Sequence, residues 1–214
     1  MNVQTRYEIR FGLVALALSG LLFTLGTGLR GPIDFADPGA FILQAAISPN
    51  FVPAFTLILL GALLQFYGFF GLYRYLTYRA ENLIAFLAFV LSIVEIAFFL
   101  PLVTFLAVQA PVIVELYQQG HHEVIAVVEA NFTSALGLAL LSIGVVAGFV
   151  GMILFGVVIW RDGRLPRWTA VVFTLSFFLL AIAVTFITEL LGAVLLLISS
   201  STIAWKAWQQ TGAS

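Results

Sequence analysis

Residues 82–108 read NLIAFLAFVLSIVEIAFFLPLVTFLAV, and this stretch decides the fold. About 20 mostly apolar residues suffice to cross the roughly 30 Å hydrocarbon core of a bilayer as a helix. The run exceeds that length, and it carries one ionisable group, Glu95, in its interior. A carboxyl at such a position costs roughly 2.5–3.5 kcal/mol on insertion scales, so it marks a candidate site.

The rest of the chain follows the same chemistry. Of its 214 residues, 62% are hydrophobic and 9% charged. Soluble domains run nearer about 45–50% apolar and about 25% charged. So few polar groups cannot cover a surface that faces water, and lipid is the expected solvent. A net charge of −1 supplies no field that would gather nucleic acid, which is not expected as a partner. The lack of cysteine excludes disulfides, thiol catalysis and thiolate metal sites.

Working outward from residues 82–108, six apolar segments are predicted to span: 9–28, 51–73, 82–108, 133–160, 168–187 and 190–208. Residues 1–214 then form a single transmembrane domain, an all-α bundle. The first run is longer than a signal-peptide core and is expected to be a retained span. The last two segments share a short turn at Glu189, and five spans with one re-entrant segment is the alternative. Asn50 and Asn131 are candidate helix caps. Eight of the nine Lys and Arg residues fall on the side of the N-terminus, and Arg30 alone falls on the other. Positive charge stays inside, so both termini are expected in the cytoplasm and the protein in the plasma (inner) membrane. Trp160, Trp168, Trp205 and Trp208 lie at the same ends, at headgroup level.

Two linkers on the outer side are too apolar to be simple loops. Asp37-Pro38 leads into AFILQAA, and Pro111 opens PVIVELYQQGHHEVIAVVEAN with a joint at Gly120. Both are expected to form short interfacial helices, lying flat or folded over the bundle mouth.

Helical spacing places Ala85, Ala88, Ser92 and Glu95 on one small and polar stripe, continued by Phe99 and Leu102. Phe86, Phe89, Ile93, Ile96 and Leu100 point mainly elsewhere. The stripe is expected to face other helices. Gly61 and Gly68 repeat at seven residues, as do Gly137, Gly144 and Gly151, and Gly148 completes a GxxxG with Gly144. Small residues let helices approach in lipid, so these mark packing faces within the chain, with a homodimer face as the alternative. At about 1.5 Å rise per residue, Thr24 and Thr185 reach the level of Glu95, with Glu189 further out and Gln65 deeper. No Lys or Arg falls at that depth. Glu95 is therefore expected as a neutral, hydrogen-bonding acid in a polar site with Ser92, Thr24, Thr185 and Glu189. Pro101 should kink the helix and free the carbonyl of Ala97.

Other chemistry is sparse. His121 and His122, with Glu115, Glu123 and Glu129, read as a solvated rim rather than a metal site. The predicted spans hold no His or Cys to ligate haem, and the sole lysine, Lys206, lies at a cytoplasmic end. No HExxH, GxSxG or P-loop occurs. No catalytic residue, metal or cofactor is expected.

The inner turn Gly163-Arg164-Leu165-Pro166-Arg167-Trp168 and the stretch Leu72-Tyr73-Arg74 ending the second segment carry a resemblance. Both are similar to features of small bacterial multi-pass membrane proteins of the domain-of-unknown-function 4386 type, as are the Gly-rich first segment and the long outer loop. The resemblance implies architecture and location, and no activity. The expected role is non-catalytic: an accessory subunit, or a binder of lipid or another apolar ligand among the 21 Phe side chains. A small proton- or cation-coupled transporter or channel using Glu95 is the alternative. Membrane lipids are the expected partners, together with a second copy or a partner membrane subunit.

Overall fold

The computed structural model describes residues 2–32, 43, 48–182 and 185–212; these are mostly helical, joined by short turns and without strand. The stretch Asp37-Pro38-AFILQAA, expected as a short helix, lies almost wholly outside the described residues. The helices are α1 (Val3–Arg30), α2 (Phe51–Thr77), α3 (Leu83–Thr104), α4 (Ala110–Gln118), α5 (Glu123–Thr133), α6 (Ala135–Asp162), α7 (Arg167–Ile182) and α8 (Phe186–Gly212). A π-helical turn, Phe105–Gln109, joins α3 to α4.

Among the described residues, five helices are long and apolar enough to cross a membrane: α1, α2, α3 run on into α4, α6 and α8. This is the make-up of a multi-pass membrane protein. Helix α7 is apolar but shorter, with 16 residues. Its outer surface fits the same solvent. Phe11, Val14, Leu18, Leu21, Leu25 and Leu29 form an exposed stripe along α1 at three- and four-residue spacing, where a soluble protein would place charge.

Local chemistry moves several boundaries. Helix α1 begins six residues early because Asn2 caps it, accepting from the Thr5 N–H at 2.7 Å. Asn82 does the same for α3, accepting from Ala85 N–H at 3.1 Å. Asn50 precedes α2 in a helical conformation and makes no side-chain cap. Asn131 lies inside α5, and Ser134 is the cap of α6, accepting from Gly137 N–H at 3.0 Å. Thr185 and Thr188 exchange side-chain-to-backbone bonds at 3.1 and 3.2 Å, a reciprocal box that starts α8 at Phe186, four residues before the predicted 190.

Pro111 does not open a separate outer piece. The helix continues from Leu83 to Gln118, about 54 Å at ordinary rise, well beyond the bilayer core. The Ala110 N–H bonds to the carbonyl of Phe105, five residues back. The backbone thus changes pattern at the residue before Pro111, where a missing donor is tolerated. Pro101 likewise sits within α3, and the π turn starts four residues beyond it. Gly120 (φ 98°) makes the turn between α4 and α5.

Helix α1 packs on α2 and α8, α2 on α3, α3 on α6, α6 on α7, and α7 on α8. These six helices therefore close a ring in chain order. Backbones touch where glycine allows it: a Cβ on Gly12 would lie 2.5 Å from Gly71 Cα, so α1 and α2 meet backbone to backbone. Both ends of α8 are pinned to α1, by Arg10 to Thr211 (3.0 Å) at one and by Arg30 to Glu189 at the other. The first is the basic end of the ring, and the second is its distal end.

Candidate functional site

The ring is filled unevenly. In its basic half Phe69, Phe155, Phe173 and Met152 are fully buried. Phe69 stacks on Phe155 with ring centroids 5.8 Å apart and leans on Phe177 at 5.9 Å. The distal half holds a cavity of about 420 Å³, walled by side chains from every helix of the ring. Six of its wall residues are phenylalanines: Phe23, Phe55, Phe98, Phe99, Phe149 and Phe177. Its polar wall consists of Arg30, Gln65, Glu95 and Glu189. Leu141 of α6 and Ala181 of α7 line it and are also exposed on the outer surface.

Glu95 reaches this cavity because the stripe on α3 faces α6. Ala85, Ala88 and Ser92 are fully buried, and the α6 glycines lie against the stripe in register. A Cβ on Gly151 would stand 3.0 Å from Ser92 Oγ, and one on Gly148 2.8 Å from Glu95 Cδ. One on Gly144 would stand 2.7 Å from Phe98 Cβ. The GxxxG is thus spent within the chain. Gly61 and Gly68 pack in the same way on Ser19 and Leu16 of α1. Gly137, expected on the same packing face, is only half-buried, in the capped first turn of α6. Two residues expected on the far faces of α3 turn out otherwise. Ile96 is buried, and Phe89 stacks on Tyr73 of α2 at 5.2 Å.

The expected polar site is not one cluster. Ser92 donates to the carbonyl of Ala88 at 2.8 Å, and Thr24 to that of Gly20 at 2.8 Å. Both hydroxyls are consumed by their own helices, the usual fate of Ser and Thr in an apolar helix. Thr185 is exposed and spends its hydroxyl on the α8 cap. Glu189 pairs with Arg30 and accepts from Thr27 Oγ1 at 3.3 Å. Glu95 has no hydrogen bond or ion pair among the described residues. Its Oε2 is fully buried, while part of the side chain remains accessible.

Arg30 is the residue that sequence reading misplaced. Hydropathy ends the first segment at Gly28 and leaves Arg30 in the outer loop. It is instead the last residue of α1, with its side chain only 3% exposed, over the ring of Phe55 at 5.8 Å. Its pairing with Glu189 lies across the cavity wall, and helix α1 gains a cation at its C-terminal end. The available signal was an arginine stranded at an apolar end, with a single acid, Glu189, near the corresponding end of the last segment.

The outer histidines stay at the surface. His121 Nδ1 is 3.4 Å from Glu123 Oε1, with both side chains exposed. Among the described residues no three His, Cys, Asp or Glu side chains stand together as a metal site would require. Comparison with known proteins finds no family model, no curated protein and no solved structure that matches this chain.

Proposed function

We propose that this is a non-catalytic protein of the plasma (inner) membrane that holds an apolar or amphipathic molecule inside its helix ring. In this reading α7 also crosses, giving six spans with both termini in the cytoplasm. The observation that carries it is the cavity of about 420 Å³ in the distal half. Its size falls within the roughly 300–1,000 Å³ of small-molecule sites, which are mostly apolar with a few polar groups. In this reading an occupant enters from the bilayer between α6 and α7, where Leu141 and Ala181 both line the cavity and are exposed. A lipid or lipid-soluble molecule meets these conditions.

The test is native mass spectrometry of the full chain released from gentle detergent. Wild type is expected to carry a bound mass that survives mild activation. Val145→Trp, which grows a ring from the α6 wall into the space, is expected to lose that mass while melting at nearly the same temperature. Equal occupancy of the two proteins would overturn the reading.

The second reading, a proton- or cation-coupled transporter, is favoured by one observation: Glu95 is unpaired on a helix whose backbone widens ten residues further on. Against it, Phe69, Phe155, Phe173 and Met152 fill the basic half of the ring among the described residues. Flux of protons or monovalent cations in proteoliposomes, abolished by Glu95→Gln, is what that reading requires.

A further inference from the structure

The cavity wall has a charge pattern that narrows its occupant. Among the described residues it carries two carboxyl groups, Glu95 and Glu189, against one guanidinium, Arg30. The guanidinium is committed, since Arg30 and Glu189 pair, and Thr27 adds a donor to the same carboxylate. Glu95 is left as the one acidic group of the wall with no partner among the described residues. Nothing on its own helix can turn to it, since Ser92 donates to Ala88. On the α6 side Gly148 presents only backbone, close against the carboxyl. The remaining approach to the carboxyl is from the cavity.

From that side the wall is mostly apolar and rich in phenylalanine, with the Gln65 amide as its neutral polar group. Phe98 and Phe99 follow Glu95 along α3, and Phe149 follows Gly148 along α6. A carboxyl group in a cavity lined by phenylalanines offers the recognition chemistry of a desolvated cation. The carboxylate supplies charge, and the ring faces supply the negative side of their quadrupoles, more strongly where water is excluded. A bound anion would meet two acids against one already paired base. A neutral hydrocarbon would leave the buried acceptor unsatisfied.

We infer that the occupant is a lipophilic cation, an amine or quaternary ammonium on an apolar body, with its charged group against Glu95. This rests on the reading of the cavity as a ligand site and names the ligand's chemical class. The apolar body lies among the phenylalanines, and the Arg30–Glu189 pair closes the wall beyond it.

The probe pair is (naphthylmethyl)trimethylammonium and its isostere with a tert-butyl group in place of trimethylammonium, which differ in charge and hardly in shape. Binding of each, radiolabelled, is measured to the full chain in nanodiscs of zwitterionic lipid, with empty nanodiscs subtracted. The cation is expected to bind saturably and at least about tenfold more tightly than the neutral isostere. Glu95→Gln should remove that preference, and Glu95→Asp should keep part of it. Retained binding of the neutral compound by Glu95→Gln shows that this variant is folded. Equal binding of both compounds, unchanged by Glu95→Gln, would overturn the inference and leave the apolar binding site standing. Saturable binding of neither, with Val145→Trp and wild type carrying the same mass, would overturn both.

Discussion

The two halves of the helix ring solve the same packing problem differently. At the basic end the space is filled and stitched. The Arg164 guanidinium sits 4.5 Å from the ring centre of Tyr75 and 4.8 Å from that of Tyr78. It binds both oxygens of Asp162 at 2.5–2.8 Å and donates to the Tyr75 carbonyl at 3.0 Å. Gln210 of α8 donates to the Arg164 carbonyl at 2.8 Å and accepts from the Tyr75 hydroxyl at 2.7 Å. The turn between α6 and α7, reversed at Gly163 in left-handed conformation, is thereby tied to α2 and α8. At the distal end one ion pair joins α1 to α8 above a hollow. The difference separates a half that holds the ring together from a half that leaves room for an occupant.

The sharpest way to break the comparison is at Arg164. Removing it strands Asp162 and unstacks two tyrosines. Arg164→Ala should cost about 3 kcal/mol, read as a lower melting temperature and a lower urea midpoint in micelles. A loss no larger than that at the distal pair would show that the basic end is not the anchor.

Next comes Arg30. Arg30→Met leaves Glu189 buried without its cation and should cost about 2 kcal/mol, while Arg30→Met with Glu189→Met should recover most of that loss. The same melts measure it, and full additivity of the two single losses would mean that the pair is not coupled in the folded state.

The smallest effect is expected at Gly148. A methyl there meets the end of the Glu95 side chain, which can swing aside, so Gly148→Ala should cost about 1 kcal/mol in the same melts. It should weaken cavity occupancy more visibly than stability. Gly12→Ala, where backbone meets backbone, should be the worse of the two.

How much of this was legible follows from the range of the forces involved. The helices could be read because hydropathy and a 3.6-residue period are local, and the α3 stripe because it is set by spacing along one helix. Continuity through Pro111 could not be read, since it depends on a change of hydrogen-bond pattern that no residue type announces. Thr24 and Thr185 were joined to Glu95 by depth and Ser92 by spacing along α3, and neither measure tells where a hydroxyl donates. Hydroxyls at the right height had cheaper acceptors within their own helices or caps. Arg30 with Glu189 was signalled only by an arginine and an acid at matching segment ends, and partners 159 residues apart in sequence are not joined by any local pattern. Hydropathy trims charged residues from helix ends, where pairing across a bundle can bury them. The cavity itself is a property of six helices at once, and no segment alone encodes it.

The central claim is that the distal half is hollow and accepts apolar matter. Crystals of the full chain under xenon pressure test this most directly, because xenon settles in apolar cavities that protein side chains leave unfilled. The account predicts anomalous density among Phe99, Phe149 and Phe177, and none among Phe69, Phe155 and Phe173. Side chains closed across the distal half, with no xenon between them, would contradict it.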